Sequence, residues 1–500
     1  MDSLIEGFKL VFSPYNLLVM LIASVYGIVL GAIPGLTAVM AISLLLPFAI
    51  FMDPIPALAA ILSCGAMAIF AGDIPSTLMR IPGTPASAAY TDDCYSLTLK
   101  GQAELALGSN VAFSAMGGIV GTIVLITAAP MLAEVALNFS SYEYFWLACL
   151  GLTCATFIGG KDPLKGALSL FIGLAITTVG LDVTSGQPRY TFGMTALLGG
   201  IGMIPILIGL FAVAEVLRRV TELKPSFEMY TGPLKGNIFR GVLHVWRKYF
   251  KSFLRGSTVG IIIGALPGAG ADIAAWISYA ISKRLSKTPE QFGHGSLEGI
   301  VEAGSANNSA LAAAWIPALV FGIPGDVTTS IVISLMYIKD INPGPTVFLQ
   351  KPEIVYGVYI CFIIANILML FLGYFAIKAF KQILRIPTFI MMPVILAFCI
   401  VGTFAINNSL FDVGVMLVFG LVGYLMEENE IPVAPLLLAM VIGDLLEKNF
   451  MTSLIKSGGD LWEFFRRPIA GSLGVFTILF WVAPPFISLL HRHRLTPPPA

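Results

Sequence analysis

The chain has 500 residues, of which 57% are hydrophobic and only 12% are charged, and its formal net charge is zero. A soluble protein usually carries about 25% charged residues. This composition excludes an ordinary soluble enzyme and indicates that much of the apolar surface faces lipid. The balanced charge provides no basic surface for nucleic acid, so we expect no nucleic-acid partner.

Apolar segments recur along the chain at lengths near the roughly 20 residues that a helix needs to cross a bilayer. The first half contains the candidate spans 17–33, 37–51, 55–71, 109–132, 142–160, 164–181 and 193–216. After a basic stretch from Arg218 to Arg255, the second half contains 256–267, 269–285, 298–321, 354–380, 388–406, 409–426 and 431–446, with a further span at 469–490. We therefore predict an all-α polytopic membrane protein.

Two proline–glycine motifs occur once in each half, in the same order. Residues 31–35 read GAIPG and residues 264–268 read GALPG; we name Pro34-Gly35 and Pro267-Gly268 the first and second PG breaks. Similarly, Ile81-Pro82-Gly83 and Ile323-Pro324-Gly325 are the first and second IPG breaks. The shared order indicates a duplication. Because each copy holds an odd number of spans, we predict an inverted repeat with broken or re-entrant helices.

This pattern divides the chain into four parts: a first membrane repeat (1–217), a basic connector (218–255), a second membrane repeat (256–450), and an extra span with a tail (451–500). Basic loops favour the cytoplasm, so we place the partly amphipathic connector and the tail on that side.

The breaks are the candidate substrate site. Proline ends a helix, and the freed backbone groups must line a protein-enclosed cavity because lipid cannot satisfy them. Helix N-termini direct N–H groups at anions, so we predict an anion site near the midplane; the alternative is that the breaks only kink packed helices. The residues assigned to substrate binding are Pro34, Gly35, Thr37, Arg80, Pro82, Gly83, Thr84, Pro267, Gly268, Gly270, Asn307, Asn308, Pro324, Gly325 and Thr328.

Carboxyl groups near the breaks are the candidate cation ligands, since charges inside apolar segments are costly and usually functional. We assign Asp73, Asp272, Asp326 and Ser305 to a coupling cation, with protonation of an acid as the alternative. Arg80 has two open roles, pairing with a substrate carboxylate or neutralising one of these acids. Asp92 and Asp93 are expected at an aqueous edge.

Motifs of catalysis are missing from the sequence: it has no P-loop, no nucleophile elbow and no HExxH. We therefore predict a protein that is not an enzyme, does not hydrolyse ATP itself and needs no cofactor beyond a coupling ion, Na⁺ or H⁺.

Several long motifs resemble the large membrane subunit of tripartite tricarboxylate transporters. They are RIPGTPASAA (80–89), GALPGAGAD (264–272), KRLSKTPEQFGHG (283–295), Ala306-Asn307-Asn308 and Asn342 to Pro345. The resemblance implies a multi-pass permease of the bacterial inner membrane with an elevator-like inverted repeat. It also implies two partners, a small membrane subunit and a periplasmic solute-binding protein, and import of di- or tricarboxylates by cation symport.

The chain departs from the pattern of that family near the presumed site. Asp73, Arg80 and Asp326 stand where we expect Ser, Asn, and Ser or Ala, so a carboxylate other than citrate is an equal expectation. Two further hypotheses remain open: a stand-alone carboxylate transporter without a binding protein, and a membrane-embedded enzyme acting on lipid.

Overall fold

The computed structural model describes residues 2–158, 162–182, 184–221, 236–383 and 388–494. The helices of the first half are α1 (Asp2–Val11), α2 (Pro14–Gly31), α3 (Ala38–Ala49), α4 (Pro54–Ala71), α5 (Asp73–Met79), α6 (Thr91–Leu99), α7 (Ala103–Ala136), α8 (Ser141–Ile158), α9 (Pro163–Thr177), α10 (Met203–Leu207) and α11 (Ala214–Thr221). A π-helical turn, Ile208–Val213, joins α10 to α11, and the short strands β1 (Gly180–Leu181) and β2 (Pro188–Arg189) form a hairpin.

The second half repeats this order of elements. Its helices are α12 (Val242–Gly264), α13 (Gly270–Leu285), α14 (Leu297–Ala313), α15 (Trp315–Phe321), α16 (Val327–Ile338), α17 (Val347–Gln350), α18 (Pro352–Ile383), α19 (Thr388–Asn407), α20 (Leu410–Glu428) and α21 (Ala434–Lys456), followed by α22 (Glu463–Arg466) and α23 (Pro468–Arg494). In each half, a helix pair flanks the PG break, a second pair precedes the IPG break, and one long helix follows.

Length and composition identify five helices of the described residues as able to cross a membrane. They are Pro14–Gly31, Pro54–Met79, Ala103–Ala136, Pro352–Phe380 and Leu410–Glu428. Five shorter apolar helices accompany them. The prediction of an all-α, multi-pass membrane protein is confirmed at this level.

Glycines allow two helix pairs to pack backbone to backbone. Gly27 and Gly31 of α2 lie against Cys64 and Ala68 of α4, so these helices run parallel. In the second half, the spacing GxxxGxxxG places Gly256, Gly260 and Gly264 of α12 against Glu302, Ala306 and Ala310 of α14. Small residues at four-residue intervals are what close helix approach in membranes requires, because an added Cβ at Gly264 would lie 2.6 Å from Ala310 Cα.

The long helices α7 and α18 form one of the contacts between the two halves. Gly118 of α7 packs against Asn366 of α18, whereas Val111 lies beside Gly373, so the two helices run antiparallel. Each also packs against the other half: α7 runs parallel to α14, and α18 runs parallel to α4. Elements of one half are therefore enclosed by elements of the other.

The outer helices also pack against helices of the other half. α9 packs on α21, and α20 packs on the α10–α11 segment. The β-hairpin is tied to α21 by Arg189, whose guanidinium bonds both oxygens of Glu447 at 2.7 and 3.0 Å. Within that hairpin, hydrogen bonds from the backbone N–H and hydroxyl of Ser185 hold the pKa of Asp182 below its usual value.

The structure adds short helices that hydropathy alone did not predict, namely α1, α5, α6, α16, α17 and α22. It also shows that α12 begins at Val242, so the last third of the predicted connector is helical, with a kink at Tyr249 (φ -112°, ψ 23°) before the helix enters the second repeat. Residues 222–235 of the connector and 495–500 of the tail lie outside the described residues.

Candidate functional site

Both IPG breaks end a helix in the same way. Arg80 (φ 59°) and Gly322 (φ 68°) adopt the left-handed conformation at the C-termini of α5 and α15. The N–H of Ile81 then donates to the carbonyl of Pro75 at 3.4 Å, and that of Ile323 donates to the carbonyl of Pro317 at 3.3 Å. A left-handed residue at this position, usually glycine, lets the following N–H groups bond carbonyls at the helix end that would otherwise have no partner. In the first half, an arginine occupies this position.

After each turn, the chain folds back along the helix that it has just left. The N–H of Gly83 donates to the carbonyl of Gly72 at 3.1 Å. A Cβ on Gly83 would lie 2.5 Å from Gly72 Cα, and one on Gly325 would lie 2.8 Å from Ala314 Cα. The breaks therefore return the chain to the level at which α4 and α14 end, and glycine is required for that approach.

Three of the four breaks meet at one place, which we name the junction. Asp272, in the first turn of α13 after the second PG break, accepts a hydrogen bond from the N–H of Ala86 at 3.0 Å. The Cβ of Asp326, which follows the second IPG break, is 3.3 Å from the position of a Cβ on Gly270. The Trp276 indole donates to the carbonyl of Pro85 at 3.0 Å and closes the contact between the first IPG break and α13.

Helix α8 covers the second-half side of the junction. Gly151 lies against both Pro267 and Ile323, and Gly268 (φ 79°) lies against the backbone of Ala155. Phe321, just ahead of the second IPG break, stacks on Phe139 with 6.0 Å between the ring centroids.

The first PG break is packed differently. The carbonyl of Pro34 accepts a hydrogen bond from Arg219 of α11 at 3.0 Å, and the same guanidinium fills the space beside Gly35. Thr37 caps α3 by accepting the N–H of Met40 at 3.2 Å. This break reaches the others through α3, which packs on α16.

The two threonines assigned to the IPG breaks are buried. Thr84 and Ser87 exchange hydrogen bonds within one turn, so the Thr84 hydroxyl accepts the N–H of Ser87 at 3.2 Å. The methyl group of Thr328 lies beside Gly65 of α4, close to Ile42 of α3.

The three predicted acids fall into two environments. Asp272 and Asp326 share the junction, and Asp326 also caps α16 by accepting the N–H and hydroxyl of Thr329, both at 2.7 Å. Asp73 is 1% exposed at the start of α5 and accepts the hydroxyl of the buried Tyr90 at 2.7 Å. Among the described residues, no group of three or more His, Cys, Asp or Glu side chains is placed to hold a metal ion.

The two asparagines of α14 are fully buried and differ in their partners. Asn308 donates to the carbonyl of Gly304 at 3.4 Å, one turn back in its own helix. Neither amide atom of Asn307 has a hydrogen-bond partner among the described residues. Asn307 lies one turn beyond Ala303, which packs in a cluster with Ala86 and Ala275, so its side chain belongs to the face of α14 toward the junction.

Besides the residues of the first PG break, two more predicted site residues lie away from the junction. Ser305 donates to the carbonyl of Glu302 at 3.0 Å, and its hydroxyl faces Gly256 of α12, on a face of α14 away from the junction. Arg80 pairs with Asp92 at 2.8 Å, and both side chains are about 60% exposed (62% and 59%). Arg80 therefore does not neutralise Asp73 or Asp326, because its partner is Asp92.

Sequence reasoning missed Tyr90 and misplaced Asp93. The expected aqueous edge is correct for Asp92 and wrong for Asp93, which is fully buried and accepts the N–H groups of Gly293, Gly295 and Ser296. A glycine-rich turn before a helix indicates backbone N–H groups that can bind an anion. The sequence does not indicate which of the many acidic side chains binds there.

Comparison with known proteins finds relatives of this chain. One relative from Agrobacterium vitis, described as "Uncharacterized 52.8 kDa protein in TAR-I ttuC' 3'region", is 34% identical over 478 residues, covering 94% of this chain and 93% of its own. A second, "Uncharacterized protein in TAR-II ttuC' 3'region" from the same organism, is 37% identical over 214 residues, covering 43% of this chain and 88% of its own. No solved structure matches the chain.

Residues 17–438 match the family described as "Tripartite tricarboxylate transporter TctA family". The resemblance of the glycine–proline motifs to tripartite tricarboxylate transporters is confirmed over most of the sequence. The chain is a membrane protein that belongs to this transporter family.

Proposed function

We propose that the chain is the permease subunit of a binding-protein-dependent secondary transporter that imports small di- or tricarboxylates by cation symport. The observation that carries this proposal is the junction itself. Three helix breaks and two carboxylates meet there, and the buried Asn307, whose two amide atoms are unpaired among the described residues, lies on the face of α14 toward it.

The groups at the junction suit a carboxylate. The N-terminus of α13 has no side-chain cap, so its first N–H groups remain available to an anion. Asn307 adds an amide donor without a charge that would trap the ligand. By contrast, the N-terminus of α16 is already occupied by the Asp326 carboxylate, so α13 is the better anion end.

The same geometry supports coupling to a cation. Asp272 and Asp326 would repel an anionic substrate at the junction, because like charges in a poorly solvated site interact strongly. A Na⁺ ion or a proton at these acids removes the repulsion and raises affinity for the substrate. Linkage requires that the substrate raise affinity for the cation by the same factor, which is the thermodynamic basis of symport.

We further propose that the two halves are inverted repeats and that the site moves in an elevator-like manner. The antiparallel packing of α7 on α18 supports the inversion, because these helices occupy the same place in the order of the two halves. The contrast in exposure between the breaks supports a path that opens on one side at a time. Pro82 is exposed at the first IPG break, whereas Pro324 is buried at the second.

The remaining assignments follow from the family. A tripartite transporter has three components, so we propose a small membrane subunit and a periplasmic solute-binding protein as partners, in a bacterial inner membrane. A stand-alone carboxylate transporter is the alternative.

Uptake into proteoliposomes tests the proposal. The reconstituted chain and small subunit are assayed with labelled carboxylates under a Na⁺ gradient, a proton gradient or neither, with and without the cognate binding protein. Uptake that needs one cation gradient and the binding protein is the expected result. Uptake without the binding protein favours the alternative, and uptake indifferent to both gradients contradicts symport.

A further inference from the structure

The buried carboxylate of Asp93 bonds several groups of the second half. Asp93 of α6 is fully buried, and its Oδ1 accepts the N–H groups of Gly293, Gly295 and Ser296, each at 2.8 Å. These residues form the turn before α14. Its Oδ2 accepts the hydroxyl of Tyr279, on α13, at 2.6 Å. One side chain of the first half thus holds two helices of the second.

Neighbouring groups of α6 bind the carbonyl side of the same turn. Lys100 donates from Nζ to the carbonyl of His294 at 2.6 Å, and the hydroxyl of Ser96 donates to that of Gly293 at 3.4 Å. The turn therefore has both its N–H groups and its carbonyls occupied by α6 and the lysine that follows it. Bonds from backbone N–H groups to a carboxylate are among the stronger hydrogen bonds of proteins.

The other end of this segment is attached to the same second-half helix at the junction. Ala86, just ahead of α6, donates to Asp272 of α13, and Pro85 accepts from Trp276 of α13. Thr98 donates to the carbonyl of Thr77 at 2.7 Å and keeps α5 with the segment. Residues 80–99 are thus held to α13 or α14 at both ends.

A corresponding attachment exists in the other half. Lys339, directly after α16, donates to the carbonyls of Ile50 and Met52, between α3 and α4. Each segment that follows an IPG break is therefore fixed to the loop after a PG-broken helix pair of the other half.

We propose that Asp93 is a positioning residue: it holds the first IPG break in place against Asp272, so that residues 80–99, α13 and α14 move as one body during transport. The inference rests on the proposed transport function. It assigns the first IPG break to a body that contains second-half helices, although the chain order would place it with its own half.

A cross-link across this contact tests the shared motion. Lys100→Cys and His294→Cys are introduced together and bridged with a short flexible bifunctional thiol reagent, and bridging is quantified by mass. Because segments that move together lose no motion when tied, uptake should stay within about twofold of the unbridged protein. Arrest of uptake on bridging would overturn the proposal. The single variants treated with the same reagent control for the native cysteines.

Two substitutions at Asp93 test the positioning role. Asp93→Asn keeps an Oδ1 acceptor for the three N–H groups, whereas Asp93→Ala leaves them unpaired. We expect Asp93→Asn to retain uptake within about threefold and Asp93→Ala to lose more than about tenfold, with a raised half-saturating cation concentration, since buried donors without acceptors displace the turn. Equal uptake and unchanged cation dependence in both variants would refute the role. If Asp93→Ala does not fold, the cross-link still decides whether these segments move as one body.

The control also separates this inference from the proposed function. Absence of carboxylate uptake by the unbridged parent chain would contradict the transport proposal. Uptake that is present in the parent and stops on bridging contradicts only the shared motion.

Discussion

Asn307 offers the sharpest test of the junction, because its structural and functional roles predict opposite changes in stability. The side chain is 1% exposed, and neither its Oδ1 nor its Nδ2 has a partner among the described residues. A buried polar group left unpaired costs about 1–3 kcal/mol. We therefore expect Asn307→Leu, which has a similar volume, to raise the thermal unfolding midpoint of the substrate-free protein.

The same substitution should weaken binding of the carboxylate. A hydrogen bond to a charged group contributes about 1.5–3 kcal/mol, and about 1.4 kcal/mol is a factor of ten, so the Kd should rise roughly 10- to 150-fold. Both quantities are measurable on one detergent-solubilised preparation, by titration with substrate at saturating cation and by a thermal melt without substrate.

A matched control is Asn366→Leu on α18. Asn366 is equally buried, but its Nδ2 donates to the carbonyl of Phe362 at 2.8 Å, and it packs against Gly118 of α7. We expect this control to lower the melting midpoint and leave the Kd unchanged. If Asn307→Leu is destabilising and binds substrate as tightly as the parent, Asn307 is polar packing and the placement of the substrate is wrong.

Three further substitutions probe the breaks and the acids. Gly325→Leu should abolish uptake without preventing membrane insertion, because its Cβ would lie 2.8 Å from Ala314 Cα. As a control, Gly414→Ala should transport normally, because its added Cβ would meet no atom within 4 Å. Asp272→Asn keeps an acceptor for its backbone partner but removes the charge; we expect the stimulation of uptake by the coupling cation to be lost, and an unchanged cation response would exclude this acid as a ligand. Arg80→Gln should change the free energy of unfolding by no more than about 1 kcal/mol, because the ion pair of Arg80 with Asp92 is exposed. A gross loss of folded protein would contradict that pairing. A weaker substrate affinity in the folded variant would support a substrate contact.

The local features of the site were predictable because they depend on covalent chemistry. Proline lacks an N–H and glycine lacks a Cβ, so the four motifs mark helix breaks wherever the fold places them. The structure has a break at each, and Gly83 and Gly325 are used for the close backbone approach that only glycine allows. The order of apolar segments was readable for the same reason, since hydropathy is a local property.

Side-chain partners were not predictable in the same way. Arg80 was expected to meet a deeply buried acid or a substrate, but the turn that it forms directs it to Asp92. Ser305 was grouped with the acids by its position in the chain, yet helical geometry directs it to α12. In both cases the direction of a side chain, set by the local backbone, outweighed proximity in sequence.

By itself, the sequence predicted an apolar, helical membrane protein whose helices break at four points, and it indicated the transporter family through the motifs at those breaks. Only the tertiary structure decided which breaks meet, that Asp73 bonds Tyr90, and that Asp93 ties α6 to a turn 200 residues away. The physical reason is that composition and helix termination act over a few residues. Contacts between distant segments depend instead on how whole helices pack. Small residues such as Gly118 and Gly264 permit close packing, but the sequence does not indicate which helix packs against them.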